Sequence, residues 1–82
     1  LNLVENKYLL FKEINKMTLS EIKKAIAENK EVRWSNDGYK VYKDNIGQYL
    51  ITFTPNEHTI GLTWLDGITL NGDEKDFYIK TN

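Results

Sequence analysis

The sequence predicts an α+β domain in which an N-terminal helix packs on a four- to five-stranded antiparallel meander sheet. Three observations carry this. Thr18-Leu19-Ser20-Glu21 has the spacing of a capping box. After Lys30 the apolar period drops from helical to two. Turn-forming pairs then recur at short intervals, as a meander requires.

The helix comes first. Thr18 stands as N-cap, with Glu21 three residues on to reach back to it. Leu19, Ile22, Ala25 and Ile26 fall at helical spacing and make one apolar stripe. Lys23, Lys24, Glu28 and Lys30 take the other side, and Asn29-Lys30 ends the helix.

The strands follow in order. Val32 and Trp34 alternate with Arg33 and Ser35, and Asp37-Gly38 reads as a two-residue hairpin turn. Tyr39, Val41 and Lys43 alternate with Lys40 and Tyr42, up to a three-residue turn at Asn45-Ile46-Gly47. Tyr49, Ile51 and Phe53 alternate with Leu50, Thr52 and Thr54, up to a turn at Pro55–His58. Ile60, Leu62 and Trp64 alternate with Thr59, Gly61 and Thr63.

These turns set Trp34 opposite Val41, Val41 opposite Ile51, and Tyr39 opposite Phe53. They also set Phe53 opposite Ile60, Ile51 opposite Leu62, and Tyr49 opposite Trp64. Every register puts the large apolar residues on one face, and a one-residue slip would break that agreement. The expected core is therefore Trp34, Val41, Ile51 and Leu62 under Ile22 and Ile26. Asp66-Gly67 and Asn71-Gly72 are further turns, and Phe77 and Ile79 alternate in a last strand. Whether that strand joins an edge or closes a barrel does not follow from the pattern.

Length and composition bound the rest. A chain of 82 residues is one domain. At this size only roughly 60% of the unfolded surface is buried on folding. With no cysteine there are no disulfides, thiolate metal sites or cysteine nucleophile. Two Trp, five Tyr and three Phe must supply the packing instead. No run of about 18 apolar residues crosses a membrane. Leu1–Phe11 contains Glu5 and Lys7 and no small-residue cleavage site, so it does not read as a signal peptide. The expected location is cytoplasmic, with no membrane partner and no cofactor.

Residues 1–16 admit two readings. They are an N-terminal arm, with Val4, Tyr8 and Phe11 on one helical face. Or they are not native: Met17 is the only Met, and Lys12-Glu13 can be encoded by a ribosome-binding sequence at about the usual distance before a start codon. Residues 17–82 form the α+β domain under either reading.

Net charge is −1 and the isoelectric point is near 5.8, which is not the footprint of a dedicated duplex-DNA binder. His58 is the only histidine and lies in a turn. Ser20 and Ser35 sit in a helix cap and by a turn, not in a nucleophile elbow. The carboxylates Asp37, Asp44, Asp66, Asp73, Glu74 and Asp76 lie in or beside turns, where Asp is favoured for backbone reasons. Asp66, Asn71, Asp73 and Asp76 could together offer oxygen ligands to a hard cation, although not at EF-hand spacing. The surface with most character is the sheet face away from the helix. It carries Arg33, Lys40 and Tyr42, with Arg33 expected opposite Tyr42 and Lys43 at the rim of the core face. Basic and aromatic side chains on a sheet can stack single-stranded bases. The bland alternative is that this pair only shields strand backbone.

Gly38-Tyr-Lys-Val-Tyr-Lys-Asp-Asn-Ile-Gly-Gln-Tyr-Leu-Ile, with Ile60-Gly-Leu-Thr-Trp, Asp66-Gly-Ile-Thr-Leu-Asn-Gly and Asp76-Phe-Tyr-Ile, resembles a group of small uncharacterised proteins of bacterial phages and plasmids. The resemblance spans roughly Met17 to Lys80 and implies no activity and no site residues. It implies an accessory role on a mobile element. The expected function is therefore a non-catalytic binding protein that docks on a protein partner, for instance as an inhibitor of a host system. The alternative is a single-stranded nucleic-acid-binding module using Arg33, Lys40 and Tyr42.

Overall fold

Period-two patterning leaves one apolar face on a sheet, and that face has to be covered. The computed structural model describes residues 16–81 and shows how this is done. Helix α1 (Leu19–Ala27) precedes strands β1 (Val32–Trp34), β2 (Asn36–Lys43), β3 (Tyr49–Phe53) and β4 (His58–Gly61). A 3-10 turn (Glu74–Asp76) leads into β5 (Phe77–Ile79). All pairings are antiparallel, in the order β4-β3-β2-β1-β5. The chain is thus α+β, a helix with a five-stranded sheet. The last strand leaves the meander, crosses to the far side and joins the β1 edge, so the sheet is open rather than a barrel. The expectations for Val4, Tyr8 and Phe11 lie outside the described residues.

The local signals at α1 act as the sequence implies. Glu21 N–H donates to the Thr18 hydroxyl at 3.2 Å, and the Glu21 carboxylate accepts from Thr18 N–H at 2.9 Å. At the other end Asn29 takes a left-handed conformation and Lys30 N–H closes on Ala25 O. The helix buries Ile22 and Ala25, while Ile26 and Leu19 pack at the margin of the core.

Two of the three hairpin registers differ from expectation, each by two residues. Val32, not Trp34, stands opposite Val41, because the first turn is made at Ser35 in a left-handed conformation with a bulge after Arg33. Asp37 and Gly38 are drawn into β2. There the Gly38 carbonyl accepts from Thr54 N–H at 2.8 Å, and the Asp37 carboxylate is held by Tyr78 of β5. Similarly Ile51 faces Ile60 rather than Leu62, since the third loop is Thr54–Glu57 and His58 has joined the strand. The middle hairpin pairs Tyr39 with Phe53 and Val41 with Ile51 as expected, closed by Gly47 in a left-handed conformation. A two-residue shift keeps each side chain on its face. The face assignments therefore survive the register changes.

The core is Met17, Ile22, Ala25, Val32, Val41, Ile51, Leu62 and Phe77. Phe77 is the largest of the fully buried side chains, so the crossing strand contributes a central packing residue. Trp34 is half-buried rather than central: it meets Tyr39 edge-on at 4.8 Å and lies against Gly72. Trp64, expected on the apolar face opposite Tyr49, is 62% exposed.

Candidate binding surfaces

The sheet face away from α1 holds the three residues singled out by sequence, and the structure ties most of their polar groups internally. Arg33 stands opposite Lys40 and Tyr78, not opposite Tyr42. Two cations directly across a ladder repel, and Glu31 offsets this with a carboxylate 2.8 Å from one terminal guanidinium nitrogen of Arg33. The other terminal nitrogen donates to Val32 O at 3.3 Å, and the side chain is only 13% exposed. Lys40 lies 6.0 Å from the centre of the Tyr42 ring. The Tyr42 hydroxyl joins a ladder through Thr52 (2.9 Å) to Thr59 (2.7 Å).

At the β5 margin the Tyr78 hydroxyl donates to Asp37, and Lys80 Nζ lies 3.4 Å from the same carboxylate. The donated hydrogen bond, with help from Lys80, holds the Asp37 carboxyl below its ordinary range. The same bond pushes the Tyr78 phenol up.

The carboxylates of the C-terminal loops do not converge. The two Asp66 oxygens accept from Ile68 N–H (2.8 Å), Thr69 N–H (2.9 Å) and the Thr69 hydroxyl (2.6 Å). These bonds, led by the Thr69 hydroxyl, keep its carboxyl below the usual range. Asn71 Nδ2 donates to Gly61 O at 3.0 Å. Among the described residues no three His, Asp or Glu gather as a metal site, so Asp66, Asp73 and Asp76 do not come together as the oxygen-ligand set that their spacing in the sequence allowed. His58 lies exposed in β4, opposite Phe53. No described helix is long and apolar enough to cross a membrane.

The surface that sequence reasoning missed is a short tongue beyond β4. Thr63 bridges Leu70, and Trp64 N–H donates to Thr69 O at 2.8 Å. Gly67 N–H returns to Trp64 O at 3.0 Å, closing a turn in which Gly67 is left-handed. Leu65 is fully exposed at this tip, beside Trp64, and Ile68 is 74% exposed. The signal was present in the chain: Asp66-Gly67 is flanked by Leu65 and Ile68, where polar residues are usual. Isolated exposed apolar residues need no explanation, but three together on one hydrogen-bonded tip do.

Compared with protein-family models, with curated proteins and with solved structures, the chain finds no match.

Proposed function

We propose that this chain is a non-catalytic docking protein that acts by binding another protein, with the tongue tip as its contact. The observation that carries this is the exposed set Trp64, Leu65 and Ile68 on a turn whose Trp64, Gly67, Ile68 and Thr69 N–H groups are bonded within the tongue. Desolvating an unpaired amide is costly, and desolvating a paired one much less so. With those four donors already paired, less backbone desolvation opposes entry of the tip into an apolar recess. Large aromatic anchors of this kind dominate binding energy at protein interfaces. A cytoplasmic accessory role on a mobile element agrees with the resemblance described above. Single-strand binding through Arg33, Lys40 and Tyr42 draws less support, because Glu31 neutralises Arg33 and the Tyr42 hydroxyl is spent on Thr52.

The test is capture from bacterial lysate, with and without nuclease, by the parent chain and by Leu65→Ser. A specific protein retained after nuclease and lost with Leu65→Ser agrees with docking through the tip. A partner that disappears with nuclease, or that Leu65→Ser retains in full, contradicts it.

A further inference from the structure

Beside the tongue, two ammonium groups converge on one phenol ring. Tyr49 O accepts the Leu62 N–H at 2.9 Å, and Leu62 leads through Thr63 into Trp64, so Tyr49 and the tongue share one end of the sheet. Lys23, from α1, lies 5.0 Å from the centre of the Tyr49 ring, and Lys43, its cross-strand partner in β2, lies 5.6 Å away. Each contact alone is favourable. Together they crowd two like charges around one ring. Neither lysine has a carboxylate within 4.0 Å among the described residues, as is also true of Lys24 and Lys40; what sets Lys23 and Lys43 apart is the ring they share. Asp44, next to Lys43 in the chain, accepts Ile46 N–H and Gln48 N–H through Oδ1 and makes no ion pair with it. At the same end of the sheet, Thr63, Trp64, Leu65, Asp66 and Asn71 line a shallow recess of about 470 Å³.

We propose that the tongue and the Lys23–Tyr49–Lys43 shelf form one binding surface for an acidic, apolar peptide segment of the partner protein. The proposal rests on the docking reading above and adds the chemistry of what docks. A large apolar side chain enters the recess beside Trp64 and Leu65. A carboxylate one or two residues away lies between Lys23 and Lys43 and relieves their repulsion. Such charge complementarity selects partners and speeds encounter more than it adds affinity.

The test selects a random-peptide display library on the immobilised full chain, then measures the enriched peptides by fluorescence anisotropy at low and high salt. Enriched peptides should combine Asp or Glu with Leu, Phe or Trp. The combined change Lys23→Glu with Lys43→Glu should weaken them about tenfold or more, Lys23→Gln with Lys43→Gln less, and both variants should lose salt sensitivity. Circular-dichroism melts check that each variant is folded, since Lys43 is exposed but Lys23 is half-buried. Peptides without acidic residues, peptides that bind the charge-reversed chain equally well, or no enrichment at all would overturn the proposal. If Leu65→Ser still abolishes binding while the lysine changes do nothing, the tip stands as the contact and only the acidic partner falls. If Leu65→Ser also binds normally, the docking reading falls with it. Co-sedimentation with phosphatidylserine vesicles that depends on Trp64 and Leu65, in place of peptide binding, would assign the surface to a bilayer and overturn the peptide.

Discussion

Leu62 and Leu65 are the same residue three positions apart, and the structure gives them opposite fates. Leu62 is fully buried and Leu65 fully exposed. Leu62→Ala removes apolar atoms worth about 1.5–3 kcal/mol of transfer free energy when fully buried. A cavity contribution adds to this, and measured Leu→Ala losses run about 2–5 kcal/mol. The upper part of that range applies here, because the backbone cannot collapse into the gap. Leu62 N–H is held by Tyr49 O and Leu62 O by Asn71 N–H, both at 2.9 Å. A domain of this length has about 4–12 kcal/mol of stability in all. For small domains each kcal/mol shifts the midpoint by about 4–8 °C. Thermal unfolding followed by circular dichroism should therefore show Leu62→Ala melting at least roughly 8 °C below the parent, or unfolded. Leu65→Ala should stay within about 0.5 kcal/mol of the parent, as exposed substitutions do. Equal losses in the two variants, or none in Leu62→Ala, would refute the placement of the tongue.

Three further outcomes follow. A Cβ at Gly72 would stand 2.5 Å from Trp34 Nε1, so Gly72→Ala should cost about 1–3 kcal/mol through overpacking, read in the melt and in tryptophan fluorescence; a neutral result would mean that Trp34 does not rest there. The Asp37 carboxyl is held below its ordinary 3.8 and the Tyr78 phenol above its ordinary 10.0 by the bond between them. Asp37 thus stabilises the fold above pH 3.8, and that share is lost as pH falls through the lowered value; the Tyr78 share is full below pH 10.0 and is lost as pH rises through the raised one. Melts of parent and Asp37→Asn should accordingly differ most between these limits and converge in acid; a difference independent of pH refutes the pairing. Finally, every described core residue lies between Met17 and Phe77, so a chain beginning at Met17 should melt cooperatively, and an unfolded product would place residues 1–16 in the core.

Local chemistry settled a good deal. Thr18 and Glu21 cap α1 because their side chains reach only a few residues, and that reach is written in the spacing. The period of two assigned Val32, Val41, Ile51 and Leu62 to one face, and a shift of two residues could not undo it. Neither the site nor the sheet order was legible in the same way. Asp37-Gly38 has the turn propensity of a hairpin tip, yet Tyr78 of β5, some forty residues later, and Lys80 just beyond that strand hold Asp37 in β2. Nothing local to Asp37 encodes that contact. Trp64 reads as a residue of the apolar face by alternation, but alternation does not say where a sheet ends. The Thr63–Leu70 bridge and the crossing to β1 end it at Gly61 and turn the tongue outward, while Phe77, arriving from the far side, fills the core instead. Short-range hydrogen bonds and side-chain alternation are properties of the chain; the order of strands and the fate of an apolar side chain beyond the last of them depend on long-range packing, and only the tertiary structure decided them.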